Sequence, residues 1–186
     1  MGRPRNTEIE EKVLQIALRQ LSEEGYSRMS VDAIAAAAGA SKPTIYRRWP
    51  NKADLATAAV RSLQLSEPPV DTGSTVGDLT AILQNFRRNL LRPNGMALVG
   101  TVLAEEGHTP ELLQLFRERL VVPRRAALAA VLERAKQRKE LRRGVHIGAA
   151  VNMLVGAFYA HYLASPDIPE SYPEEVVGIV WRGIST

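Results

Sequence analysis

The sequence predicts an all-α protein: an N-terminal helix-turn-helix domain, then a larger helical bundle. Three observations carry this. Two short helical runs meet at Gly39-Ala40 and carry hydroxyl, aromatic and basic residues beyond the turn. Apolar residues recur at spacings of three and four along nearly all the remaining chain. No strand-like alternation of useful length, internal repeat or low-complexity tract interrupts that pattern.

The first helix is expected over 7–24. Ile9, Val13, Ile16, Ala17 and Leu21 share one face, and Gly25 ends it. A second, Ala-rich helix runs from Val31 to Ala38. Ser30 is its N-cap, and Gly39 can take the positive φ that a reversal needs. Ser41 opens a third helix with Pro43 in its first turn, where a missing N–H costs little. This helix carries Thr44, Tyr46, Arg47 and Arg48. Asn51-Lys52-Ala53-Asp54 has the spacing of a capping box, with Asp in the final place, and restarts a helix at once.

Pro and Gly in Ser66–Gly73 mark a boundary. Domains are therefore expected at 1–63 and 64–186. Further helices are read at 75–91 and 96–106, the first ended by Arg92–Gly95. Thr109 and Pro110 recap a long helix to about Lys139, which Pro123 should bend. After Gly144, residues 146–164 form an apolar helix. A Pro-rich loop over 165–173 leads to a last helix over 174–183.

Composition narrows the class. The chain has 186 residues, 45% of them hydrophobic, enough for a folded core. A net charge of +4 suits a polyanionic partner. Cysteine is absent, which excludes disulfides and thiolate metal sites and suits a reducing cytoplasm. Met1–Arg5 leads into a charged amphipathic helix rather than the apolar core of a signal peptide. Ile147–Ala164 reaches the lower limit for a membrane span. It contains Asn152, His161 and two tyrosines, so the preferred reading is a buried helix of a protein with no membrane partner.

Residues 6–63 resemble the N-terminal domain of TetR-family transcriptional regulators. The match rests on Ala17, Gly25, Tyr26, Ser30, Ile34, Ala35, Ala38, Gly39, Ser41, Thr44, Tyr46, Lys52 and Leu55 in combination. Trp49 stands where many members have Phe. Asp32 and Ala33 stand where many place a basic or polar residue, which argues against a base contact from that helix. The resemblance implies operator contacts at Lys42, Pro43, Thr44, Tyr46, Arg48 and Lys52, and dimerisation through the last two helices. It also implies a C-terminal domain that binds a small effector.

Residue chemistry agrees for the reading helix. Arg47 and Arg48 can read guanine or contact phosphate, and Thr44 or Pro43 can touch a thymine methyl. Tyr46 and Lys52 suit phosphates, Lys52 at a helix N-terminus. Arg3 and Arg5 either enter a minor groove from an extended arm or belong to an ordinary basic terminus.

Gly148, Asn152, Gly156 and Ala160, four apart, make a small-residue face on the apolar helix. With Val177 and Trp181 they are expected to form a homodimer interface. The alternative is that these helices only complete the monomer core. A single helix-turn-helix buries little DNA surface, which favours the dimer. Phe86, Met96, Leu103, Phe116, Met153 and Tyr159 are the candidates for lining an effector chamber, or plain core. Glu105, Glu106 and His108 make no recognised metal motif, and no acid, base and nucleophile assemble. No cofactor or metal is expected, and the protein is not expected to be an enzyme.

The reading is a cytoplasmic homodimer on double-stranded operator DNA: a repressor released by a small apolar or amphipathic molecule. The rivals are a constitutive or partner-controlled regulator without a chamber and, further off, a helical enzyme.

Overall fold

The computed structural model describes the backbone of residues 4–62, 70–92 and 95–186, with side chains from residue 7 onward. The expected linker at 66–73 and break at 92–95 thus lie partly outside the described residues. All the regular elements described are helices. An antiparallel bridge between Leu141 and Ser185 is the one strand-like pairing described.

The helices form two compact units. The first contains α1 (Pro4–Glu23), α2 (Val31–Ala38), α3 (Lys42–Tyr46) and α4 (Lys52–Arg61). It also takes α6 (Gly95–Ala104), α7 (Pro110–Phe116) and a π-helical stretch, Arg117–Val121. The second contains α5 (Thr75–Leu90), α8 (Val122–Gln137), α9 (Ile147–Ala164) and α10 (Tyr172–Ile184). Packing therefore does not follow the chain division at 63/64. In the first unit α6 lies on α1 and α7 on α4. The Thr101 hydroxyl donates to the Leu21 carbonyl at 3.1 Å. Val102, Leu112, Leu113 and Phe116 extend the core built by Val13, Ala17, Leu21, Ile34, Ile45 and Leu55.

The bend expected at Pro123 takes a particular form. Instead of a kinked α-helix, the turn before it widens into the π-helical stretch, and α8 begins at Val122. A proline lacks the N–H that an α-turn would use, and a π-bulge is a common way to relieve that misfit. Thr109 does precede α7, but its side chain makes no cap; its hydroxyl points to Glu105.

The second unit is stitched by charge as well as by apolar contact. Asp78 is buried on α5. Its carboxylate accepts from the Thr72 N–H at 2.7 Å, the Thr72 hydroxyl at 2.9 Å and Arg134 at 3.1 Å. Burial pushes the carboxyl pKa up, but these donors outweigh it and leave it below its ordinary value. Glu140 is likewise held low, first by Arg138 and then by the Thr75 hydroxyl. Both folded-state values are depressed. Their contribution is therefore present above the unfolded carboxylate values of about 4 and is lost as pH falls through the lower, folded ones. Thermal unfolding from pH 6 downward should show this loss below about pH 4. Asp78→Asn should be less stable at pH 6 and show a shallower acid decline; equal slopes would remove Asp78 from the account.

In the helix expected to be buried, α9, only 22% of the residues are buried within the chain. Among the described residues it is the one helix long and apolar enough to cross a membrane. Ala150, Val151, Leu154 and Phe158 face the unit's own core. Ala149, Asn152, Met153, Gly156, Ala160 and Leu163 form the opposite, exposed stripe. Helices α5, α8 and α10 cover one side of α9, and among the described residues no helix of the unit packs over the other.

Candidate nucleic-acid interface

The reading head is built by local rules. The Ser30 hydroxyl caps α2 by accepting from the Ala33 N–H at 3.3 Å, and the Ser30 N–H donates to Gln20 Oε1 at 3.0 Å, tying α2 to α1. Gly39 sits at φ 69°, ψ 29°, the left-handed region where a Cβ is costly. The chain then reverses, and Ser41 caps α3 through the Thr44 N–H. Asn51 caps α4 through the Asp54 N–H at 2.8 Å. Val31, Ile34, Ala35, Ala38 and Ile45 are buried, so the faces of α2 and α3 that meet are apolar and small.

Burying Ile45 turns the rest of α3 outward. Lys42, Pro43 and Tyr46 are exposed, while Thr44 is half-buried with its hydroxyl 2.8 Å from that of Ser41. The helix is shorter than expected. Arg47 is its C-cap and Arg48 lies in the turn that follows, because the chain must reach Pro50 and restart at Lys52. Both arginines remain exposed.

The cations are not all free for DNA. Lys42 pairs with Asp32, and Arg48 Nη2 lies 2.6 Å from Glu10 Oε2 on α1. Lys52 Nζ donates to the Ser27 carbonyl at 3.2 Å and sits 4.6 Å from the Tyr26 ring centroid. Burial and then the charge of Glu105 raise the Tyr26 pKa, so the ring under Lys52 stays a neutral phenol. Arg3 lies outside the described residues. Arg5 falls in the first turn of α1, which starts at Pro4, so of the two readings held open for the terminus neither an extended arm nor an irregular end describes the backbone at Arg5.

Comparison with known proteins settles the family. Residues 13–59 match the bacterial regulatory proteins of the tetR family. Residues 69–180 match the tetracyclin repressor-like C-terminal domain. An uncharacterized HTH-type transcriptional regulator of Bacillus subtilis, YdeS, is 31% identical over 98% of this chain and 93% of its own. The DNA-binding transcriptional repressor TetR of Mycobacteroides abscessus is 37% identical over 69% of this chain and 68% of its own. The crystal structure of the TetR-family transcription regulator SCO0332 superposes with a TM-score of 0.62 at 28% identity, covering 95% of this chain and 98% of that one.

The chain belongs to the TetR family. It is a helix-turn-helix transcriptional regulator, and the family's members are regulators rather than enzymes. Among the described residues no three His, Asp or Glu side chains cluster as a metal site.

The other residues singled out by sequence divide sharply in this TetR-family protein. Asn152, Gly156 and Ala160 lie on the exposed stripe of α9, and Gly148 is half-buried at its start. Asn152 Oδ1 accepts from Arg125 at 2.7 Å. Trp181 is half-buried. Val177 is fully buried in its own unit and cannot serve an interface; Ile179, 64% exposed two residues on, is the apolar side chain that α10 presents outward. Helical phase alone could not choose between two apolar residues 200° apart on a helix with apolar residues on both sides.

Met96, Leu103 and Phe116 belong to the first unit, and Phe86, Met153 and Tyr159 to the second. The structure brings Phe86 and Tyr159 together, ring centroids 5.7 Å apart, in a cluster that Phe158 and Tyr172 extend. Arg124 lies over the Phe86 ring, 4.4 Å from its centroid. Burial raises the Tyr159 hydroxyl pKa, and the Arg124 charge opposes that. Phe116 is buried and Met96 half-buried. Leu103 and Met153 are 53% and 59% exposed, so neither lines an enclosed chamber in this state. Met153 instead adds to the open stripe of α9. Glu10 and Phe158 were not singled out from sequence. Glu10 is one of several carboxylates on α1, and only the fold shows which one meets Arg48.

Lys52→Ala should weaken binding to every DNA sequence alike and flatten the dependence of affinity on salt by about one unit of log–log slope, as loss of one phosphate contact requires. Fluorescence anisotropy on two unrelated duplexes at several salt concentrations checks this. An unchanged slope would remove Lys52 from the phosphate contacts.

Proposed function

We propose that this TetR-family regulator is a cytoplasmic repressor that binds its operator as a homodimer and releases it when a small apolar or amphipathic molecule enters the C-terminal domain. The observation that carries the assembly is the open stripe of α9, with Leu163 81% exposed and Met153 and Ile179 also outward. Soluble monomers rarely leave so continuous an apolar surface open. The same stripe on a second copy would cover it, by the self-complementary pairing of a two-fold interface. Gly156 and Ala160 allow close approach.

Repression is supported by the relative from Mycobacteroides abscessus, whose name states it. DNA contact is assigned to Lys42, Pro43, Thr44, Tyr46, Arg47, Arg48 and Lys52, the outward residues of α3, its following turn and the start of α4. The aromatic cluster of Phe86, Phe158, Tyr159 and Tyr172 is the best candidate wall for an effector site in the second unit, with the Arg124 charge beside it. Chain division at 63/64 remains the proposed functional boundary, the reading residues lying before it.

A ligand acts only through a difference in affinity between two states. A compound that binds the native protein should raise its Tm by mass action and, if it is an effector, weaken operator binding by a reciprocal factor. Screening small aromatic and amphipathic molecules by thermal shift, then measuring operator affinity with each stabilising compound, tests this. A bound compound that leaves affinity unchanged is not an effector. If every compound found to bind leaves it unchanged, ligand-relieved repression fails and constitutive binding takes its place.

A further inference from the structure

An acidic residue on a face that must approach a polyanion needs a reason. Glu10 projects from α1 beside α3. With Ile9, Val13, Thr44, Arg47, Arg48 and Trp49 it borders a small cavity of about 170 Å³. Its Oε2 lies 2.6 Å from Arg48 Nη2, an ion pair. The Glu10 side chain is largely covered, while that of Arg48 is 55% exposed, so the arginine is held from the protein side and open on the other. The carboxylate meets the guanidinium at one terminal nitrogen; the group has five N–H donors in a rigid planar fork. The remaining donors can still form the paired contact by which Arg reads guanine.

We propose that Glu10 is a positioning residue that sets DNA specificity through Arg48. The carboxylate acts in two ways. It restrains the position of the guanidinium before DNA arrives, so less side-chain freedom is lost when a base edge is met in register. It also offsets the arginine's charge, so Arg48 adds little to binding of phosphate backbones in general. Phosphate attraction is the main source of non-specific affinity, and it grows with each uncompensated cation. Arg47 is the contrast: among the described residues no carboxylate pairs with it, and it remains available for phosphate. The inference rests on α3 and its turn being the DNA face.

The test uses the full-length protein with two duplexes of equal length: one recovered from DNA that co-purifies with the protein, one scrambled. Glu10→Gln keeps the shape of the side chain and removes its charge. It should lower the ratio of specific to non-specific affinity by about tenfold, within the range that one well-formed base contact supplies. Non-specific affinity should rise and its salt dependence steepen by about one unit of slope, because one more cation now meets phosphate. In an Arg48→Ala background Glu10→Gln should change neither quantity. Arg48→Lys keeps the charge and loses the fork, and should lose specificity without flattening the salt slope.

A structural role alone would shift Tm in Glu10→Gln and leave the ratio and the slope unchanged, which would overturn the proposal. An equal effect of Glu10→Gln with and without Arg48 would also overturn it, by showing that the carboxylate acts as a distant charge. If Glu10→Gln fails to fold, retention of the full ratio by Arg48→Lys overturns it independently. Arg48→Ala with unchanged affinity for both duplexes points to a separate failure, that of the DNA face itself.

Discussion

Gly156→Leu should convert a dimer into a folded monomer with little operator affinity. A Cβ built at Gly156 meets no atom within 4 Å, so the chain by itself accommodates a side chain there. Within a helix, leucine also has the higher propensity. The monomer should therefore keep its helical circular dichroism and its Tm extrapolated to low concentration. The cost falls on the proposed partner, which would approach this stripe across Gly156 and Ala160. A leucine between two closely packed helices overpacks the contact twice in a two-fold dimer, at about 1–3 kcal/mol each. With one half-site per reading head, loss of the second head removes most specific affinity. Sedimentation or light scattering at micromolar concentration, followed by operator titration, checks both parts. A variant that stays dimeric would move the interface away from this stripe. A wild-type protein already monomeric at that concentration would dismiss the dimer altogether.

Phe158→Ala should be the most destabilising single truncation in the second unit, by about 3–5 kcal/mol. Phe158 is fully buried. Its ring lies 5.2 Å from those of Phe86 and Tyr172, centroid to centroid, so three elements lose contact at once. Truncation leaves a cavity that rigid helix backbones fill only in part. Urea unfolding monitored by circular dichroism measures the change. A loss below about 1 kcal/mol would mean that the aromatic cluster collapses onto the space, and that it is softer than a packed core. The same variant is informative about ligands. If the cluster walls an effector site, an aromatic compound that fills the new cavity should restore part of the lost Tm.

Much of the reading head was legible because its rules are local. Ser30, Gly39, Ser41, Pro43 and Asn51 each act on backbone within a few residues, so α2 could be bounded to the residue and the start of α4 located. The outward set of Lys42, Pro43, Tyr46 and Arg47 followed from one fact, that Ile45 is the apolar residue of the short helix. Element ends were less legible where competing caps lay close together. The third helix stops at Tyr46 rather than Arg48 because Pro50 and Asn51 follow at once. The π-helical turn before Pro123 could be foreseen as a disruption, but its form depends on what the flanking helices pack against.

The sequence by itself determined the all-α class and the helix-turn-helix, which depend on propensity, capping and periodicity within about ten residues, and its residue pattern carried the resemblance to the family. Only the tertiary structure decided that α6 and α7 belong with the reading head, because hydrophobic burial is non-directional and a sequence does not state which apolar faces will meet. It also decided that Val177 points inward while Met153 and Ile179 point outward, and that Glu10, about forty residues before Arg48, is its partner. Those are choices among chemically equivalent candidates, and three-dimensional packing makes them.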